Sequence, residues 1–141
     1  MKLASLKIDS ARVEQGDWVG QIPGMGDLEL KVRGFGNSDY QRIIAREQQA
    51  IGRDKRINGR IDPVTLDGIM ARAMAEAILL DWRGLTGADD QPEPYTKELA
   101  TQLLTNPDFR PFQEAVSWAA NVVQDARAER TEEAVGNSAS A

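Results

Sequence analysis

The chain has 141 residues, a net charge of −5 and a sequence pI near 4.8, with 41% hydrophobic and 28% charged residues. This length and balance are typical of one globular domain rather than of a disordered or membrane protein. The sequence contains no cysteine and no histidine. Their absence excludes disulfides, thiolate nucleophiles, Ser-His-Asp triads and metal or haem sites built on imidazole.

The hydropathy of the chain gives no sign of a membrane or export segment. No apolar run approaches the roughly 20 residues of a spanning helix, and residues 1–10 lack the apolar core of a signal peptide. We therefore expect a cytosolic protein with no membrane partner. The acidic net charge also disfavours nucleic acid, because binding to phosphates needs a basic surface.

The first 36 residues are predicted to form a three-stranded antiparallel β-meander. Apolar and polar residues alternate in LASLKID and DLELKVRGF, and DWVGQI between them is bounded by Gly16 and by the turn sequence PGMG at 23–26. So small a sheet needs helices on its apolar face. The alternating apolar positions are Leu6, Ile8, Leu28, Leu30 and Val32.

Residues 37–129 are predicted to form four helices. Three begin at local caps, with Ser38 and Gln41 as a capping box, Asp62 before Pro63, and Thr96. The predicted helices cover 38–51, 63–82, 97–104 and a stretch from 109 or 111 to 128. We thus predict an α+β, mainly helical fold, with one globular domain over 1–129 and a disordered polar tail at 130–141.

Several motifs have an ordinary structural interpretation. The Gly-Phe-Gly sequence at 34–36 lacks the further glycine, lysine and hydroxyl residues of a phosphate loop and is better explained as a turn that ends a strand. The acidic residues between 81 and 93 lack the register of a calcium loop. We predict no catalytic residue, no metal site and no cofactor.

A basic segment between the first two predicted helices suggests weak self-association. Residues 1–60 carry a net charge of +3 and residues 61–141 a net charge of −8, so this segment could approach the acidic surface of another copy. The alternative is an exposed helix connector. The basic residues concerned are Arg53, Lys55, Arg56 and Arg60.

Trp82 is predicted to lie in the last turn of the helix that covers 63–82, with Gly84 just after its cap. Two interpretations stay open for this side chain. It is either a core residue that joins the long helix to the helices behind it, or an anchor in a partner-binding groove, since Trp is enriched among interface hot spots.

Taken together, several short motifs resemble those of the tail assembly chaperones of long-tailed, siphovirus-type bacteriophages. In that pattern an apolar helix ends in W-x-G, and a helix capped by Tyr-Ser/Thr follows a polar loop. The matching segments are GDWV at 16–19, LKVRG at 30–34, DWRG at 81–84, PYTKELA at 94–100 and LL at 103–104. The resemblance covers roughly residues 6–138.

The resemblance implies a non-enzymatic factor in the host cell cytoplasm. It would bind the long, helical tape measure protein, keep it soluble and promote tail tube assembly, and a frameshifted longer product could contact the tail tube protein. The client would occupy an apolar groove where the last three predicted helices meet. The residues expected in this groove are Trp82, Tyr95, Leu99, Leu103, Phe112 and Trp118.

Two other classes of function are considered. One is a structural virion component, such as a head–tail adaptor or minor tail protein, which would remain in the finished particle. The other is a small acidic hydrolase, which the lack of histidine and cysteine disfavours.

Overall fold

A computed structural model of the chain describes residues 1–125. Within them, single 3-10 turns lie at Leu3–Leu6, Arg53–Lys55 and Pro107–Phe109. The α+β, mainly helical class is confirmed, and a short helix, α1, is added to the four predicted ones. The predicted tail at 130–141 lies outside the described residues. The helices and strands are α1 (Ser10–Gln15), β1 (Asp17–Val19), β2 (Glu29–Val32), α2 (Ser38–Ala50), β3 (Arg56–Ile57), β4 (Arg60–Ile61), α3 (Pro63–Ala77), β5 (Leu79–Arg83), α4 (Lys97–Thr105) and α5 (Arg110–Gln124).

The main sheet is antiparallel, with the strand order β1-β2-β5. The hairpin of β1 and β2 was predicted, and in it Trp18 lies opposite Lys31. The strand predicted around Leu6 and Ile8 is wrong. A 3-10 turn occupies Leu3–Leu6 instead, and Leu6 and Ile8 stay 61% and 47% exposed, so their alternation does not mark a buried face of the sheet.

The helix predicted to reach Trp82 in fact ends at Ala77, and the chain continues as β5. This correction has a tertiary cause, since β5 pairs with β2 and Trp82 lies opposite Leu30. Pairing with a buried strand outweighs the helical period of the local sequence. The register shifts at Leu80, which is the extra residue of a β-bulge.

The cap predicted at Ser38 is also corrected, because Asn37 caps α2. Its side-chain oxygen accepts a hydrogen bond from the backbone N–H of Tyr40 at 2.8 Å. Its amide nitrogen donates to the carbonyl oxygens of Gly34 at 2.8 Å and Ala77 at 2.9 Å. Asn37 is fully buried, so one side chain joins the end of β2, the start of α2 and the end of α3.

The caps predicted at Asp62 and Thr96 are confirmed. Asp62 accepts from the N–H of Thr65 at 3.1 Å, with Pro63 as the first helical residue, and Thr96 accepts from the N–H of Leu99 at 3.1 Å. The predicted basic connector is a small hairpin of β3 and β4.

Arg33 links α1 to α2 at the end of the sheet. Its Nε donates to the backbone oxygen of Glu14 at 2.6 Å, and its Nη2 lies 2.9 Å from the carboxylate of Asp39. The hydrogen bond from Arg33 is the main reason why the pKa of Asp39 lies below its ordinary value.

The core lies between the sheet and the helices. α5 packs on β1 and β2, while α3 contacts both α2 and α4. Buried alanines on α3 and α5, such as Ala73 and Ala119, let the backbones approach closely. The largest fully buried apolar side chains are Leu30, Ile69, Met74, Ile78, Leu79 and Leu104.

Candidate partner-binding groove

An open groove of about 900 Å³ lies between the turn that joins β1 to β2, the segment after β5, and helices α4 and α5. Its volume is within the roughly 300–1,000 Å³ of ordinary ligand sites, and its lining is mostly apolar. The large apolar side chains that line it are Met25, Leu28, Leu85, Leu99, Leu103, Phe109 and Phe112.

Three of the six residues predicted for a groove line this one. Leu99 and Leu103 lie one turn apart on α4 and are half-buried, so they share a face. Phe112 closes the floor and is 8% exposed.

Trp82 and Tyr95 lie behind the groove rather than in it. Trp82 is only 4% exposed, and its ring makes edge contacts with Tyr95 and Phe112, with centroid separations of 5.0 Å and 6.0 Å. Burial raises the pKa of Tyr95, and the charges of Asp81 and Glu98 add to this effect. Trp82 therefore lies in the core and packs against Phe112, which lines the groove.

Trp118 does not line the groove. It is 40% exposed and lies on α5 with exposed Glu114 and Asn121 at helical spacing. The structure thus separates Trp118 from the other predicted groove residues.

The segment after β5 is folded back as a wall of the groove. The N–H of Glu93 donates to the oxygen of Leu85 at 2.8 Å, and the N–H of Gly87 donates to the oxygen of Gln91 at 2.9 Å. The indole N–H of Trp82 donates to the backbone oxygen of Glu93 at 2.7 Å. A core side chain therefore ties this wall to the sheet. We call residues 85–93 the wall loop.

Gly84 makes the turn from β5 into the wall loop possible. Its φ is +79°, and a Cβ built there would lie 2.4 Å from the backbone oxygen of Asp27. Only glycine fits this close approach without strain. The wall loop is thereby held against the β1–β2 turn.

Sequence reasoning did not assign Met25, Leu28, Leu85 or Phe109 to the groove. Phe109 ends a 3-10 turn capped by Asn106 and is 46% exposed. Met25 stands between two glycines in a turn that needs no apolar side chain. A large apolar residue at such a position was therefore the one sign in the sequence that this turn belongs to a binding surface. Leu85 had no local signal.

The charged side chains that line the groove are both acidic, namely Glu93 and Asp108. The wall loop adds Asp89 and Asp90. No lysine or arginine belongs to the lining. The site therefore combines an apolar floor with negative charge.

The basic residues predicted for self-association lie on and beside the β3–β4 hairpin, away from the groove lining. Arg56 is engaged within the chain, because its Nε donates to the oxygen of Ile51 at 3.3 Å and its Nη2 donates to the oxygen of Gln48. Arg53, Lys55 and Arg60 are exposed.

Within residues 1–125, no group of three or more acidic side chains is placed to hold a metal ion. No helix of this part of the chain is long and apolar enough to cross a membrane.

No curated protein and no solved structure matches the chain. The family model of the YdaY prophage protein matches residues 35–137, which include α2 to α5 and most of the groove lining. Because this match covers well over half of the chain, the protein belongs to the YdaY prophage protein family and is phage-derived.

Proposed function

We propose that this protein is a tail assembly chaperone that binds the tape measure protein of its phage in the groove. It keeps this long client soluble in the host cytoplasm and promotes assembly of the tail tube. The observation that carries the proposal is the open apolar groove between the wall loop, α4 and the start of α5. Membership of a prophage family supports the phage context.

The groove suits a helix that inserts one apolar face. Such helices use anchors at positions i, i+3, i+4 and i+7, and Leu99 and Leu103 offer a matching ridge on α4. Phe109 gives the exposed aromatic contact that interfaces favour. Each Å² of apolar surface removed from water stabilises the complex by about 25 cal/mol before the cost of association.

The net charge of the chain suits a protein that keeps its client soluble. With a net charge of −5, a complex that covers an apolar client segment would still repel other complexes and resist aggregation. This role needs no catalysis and no cofactor. A frameshifted longer product that carries the tail tube protein to the client remains part of the proposal.

The test is co-expression with the tape measure protein, followed by measurement of the client in the soluble fraction. We expect Phe109→Ser to reduce soluble client severalfold while the melting temperature changes little, because a half-exposed side chain contributes about 0.5–1 kcal/mol. Trp118→Ser is the matched control, since it removes another exposed aromatic from α5 that does not line the groove.

Equal loss of client in both variants, or loss in neither, would reject the groove as the client site. Mass spectrometry of purified virions separates the proposal from its alternative. A chaperone is absent from the finished particle, whereas a head–tail adaptor or minor tail protein is present in a fixed copy number.

A further inference from the structure

Within residues 1–125, the carboxylates of the groove lining and of the wall loop have no cationic partner. Asp89, Asp90, Glu93 and Asp108 form no ion pair with any residue in 1–125. In contrast, Asp39 and Glu29 are each paired with an arginine elsewhere on the surface.

The two acidic residues of the groove lining come from two separate segments of the chain. Glu93 and the neighbouring aspartates belong to the wall loop, while Asp108 lies in the 3-10 turn before α5. A helix that occupies the groove therefore brings the residues beside its apolar face near carboxylates of both segments. Because like charges at an interface repel and opposite charges attract, the flanks of the bound helix decide which helices are accepted.

On the basis of the proposed function, we propose that the groove selects a partner helix whose apolar face is flanked by lysine or arginine. The apolar floor supplies the affinity, and the unpaired carboxylates of these two segments supply the selection. Among helices with the same apolar face, those with basic flanks bind and those with acidic flanks are rejected.

The experiment uses two synthetic helical peptides with the same leucines at i, i+3, i+4 and i+7, one flanked by lysine and one by glutamate. Binding to the full chain is measured by fluorescence anisotropy at low salt. We expect the lysine peptide to bind about tenfold more tightly, which two to four exposed charge pairs provide. Near 1 M salt, where the Debye length is about 3 Å, the two affinities should converge.

The double variant Glu93→Gln/Asp108→Asn should lose most of the preference and keep the affinity for an uncharged peptide. The matched control is Asp67→Asn/Glu76→Gln, which removes the same charge from exposed positions on α3 outside the groove lining. The control should keep the full preference.

The outcomes distinguish this inference from the proposed function. Equal binding of both peptides, or an equal effect of the two double variants, overturns the charge selection and leaves the groove as a client site. Binding of neither peptide overturns both proposals. An oligomer that becomes monomeric when peptide is added makes a second copy the occupant and overturns the selection of a partner helix.

Discussion

Replacement of Trp82 by alanine is the sharpest test of how the groove is supported. The side chain is 4% exposed, lies edge-on to Tyr95 and Phe112, and donates its indole N–H to the backbone oxygen of Glu93. Alanine removes all three contacts and leaves a cavity between β5 and α5. We expect the free energy of unfolding to fall.

The expected loss is about 4–6 kcal/mol. Large-to-small substitution of a buried Trp typically destabilises by about 3–5 kcal/mol, which already includes the cavity. The hydrogen bond to Glu93 adds about 1 kcal/mol because the carbonyl loses its donor. Trp82→Phe keeps an aromatic ring and should cost about 1–2 kcal/mol, most of it from the lost donor.

Urea unfolding followed by far-UV circular dichroism measures both variants without using Trp emission. Trp118→Ala is the control, since it truncates the same residue type at a 40% exposed position, and it should cost under about 1 kcal/mol. In Trp82→Phe, the amide protons of Gly87 and Glu93 should exchange faster, because their bonds close the wall loop. A Trp82→Ala loss no greater than that of Trp118→Ala would refute the assigned role.

Three further predictions concern the rest of the chain. Asn37→Ala should destabilise by about 2–4 kcal/mol in urea unfolding, because it removes a helix cap and the donor to the buried end of α3 at Ala77; a loss below about 1 kcal/mol would contradict this. Arg60→Glu should weaken self-association at low salt in sedimentation, since it reverses an exposed charge on the basic hairpin; a wild-type monomer at low salt and high concentration would argue against the prediction. The carboxyl of Asp39 should titrate by NMR below its ordinary pKa of 3.8, and Arg33→Gln should raise that pKa. The ion pair therefore stabilises the fold above the ordinary pKa and is lost as the pH falls through the lowered one.

The sequence correctly predicted the elements whose ends depend on residues close by in the chain. The caps at Asp62 and Thr96 were predictable because a side-chain oxygen there meets the first free N–H groups of a helix. The alternation at Leu30 and Val32 predicted β2, since one of its faces is buried. These inferences depend on neighbours within four residues.

The errors concern residues whose partners are distant in sequence. Ser38 satisfies the local rules for a cap, yet Asn37 caps the helix, and its amide also donates to the carbonyl of Ala77, 40 residues away. The apolar residues at 6 and 8 alternate as a strand does, but a 3-10 turn forms at Leu3–Leu6 and both side chains stay exposed. Local sequence shows neither the remote carbonyl nor whether an apolar face will be buried.

The groove itself depends on β5, which the sequence wrongly predicted as the end of a helix. If the helix had continued to Trp82, as its period indicated, no strand would pair with β2 on that side. Because β5 pairs there, Gly84 meets the backbone of Asp27, and the chain is directed along the β1–β2 turn. The wall loop then faces α4 and encloses the apolar floor, with Trp82 tied to Glu93 behind it. The switch from helix to strand after α3 is therefore the structural cause of the candidate site.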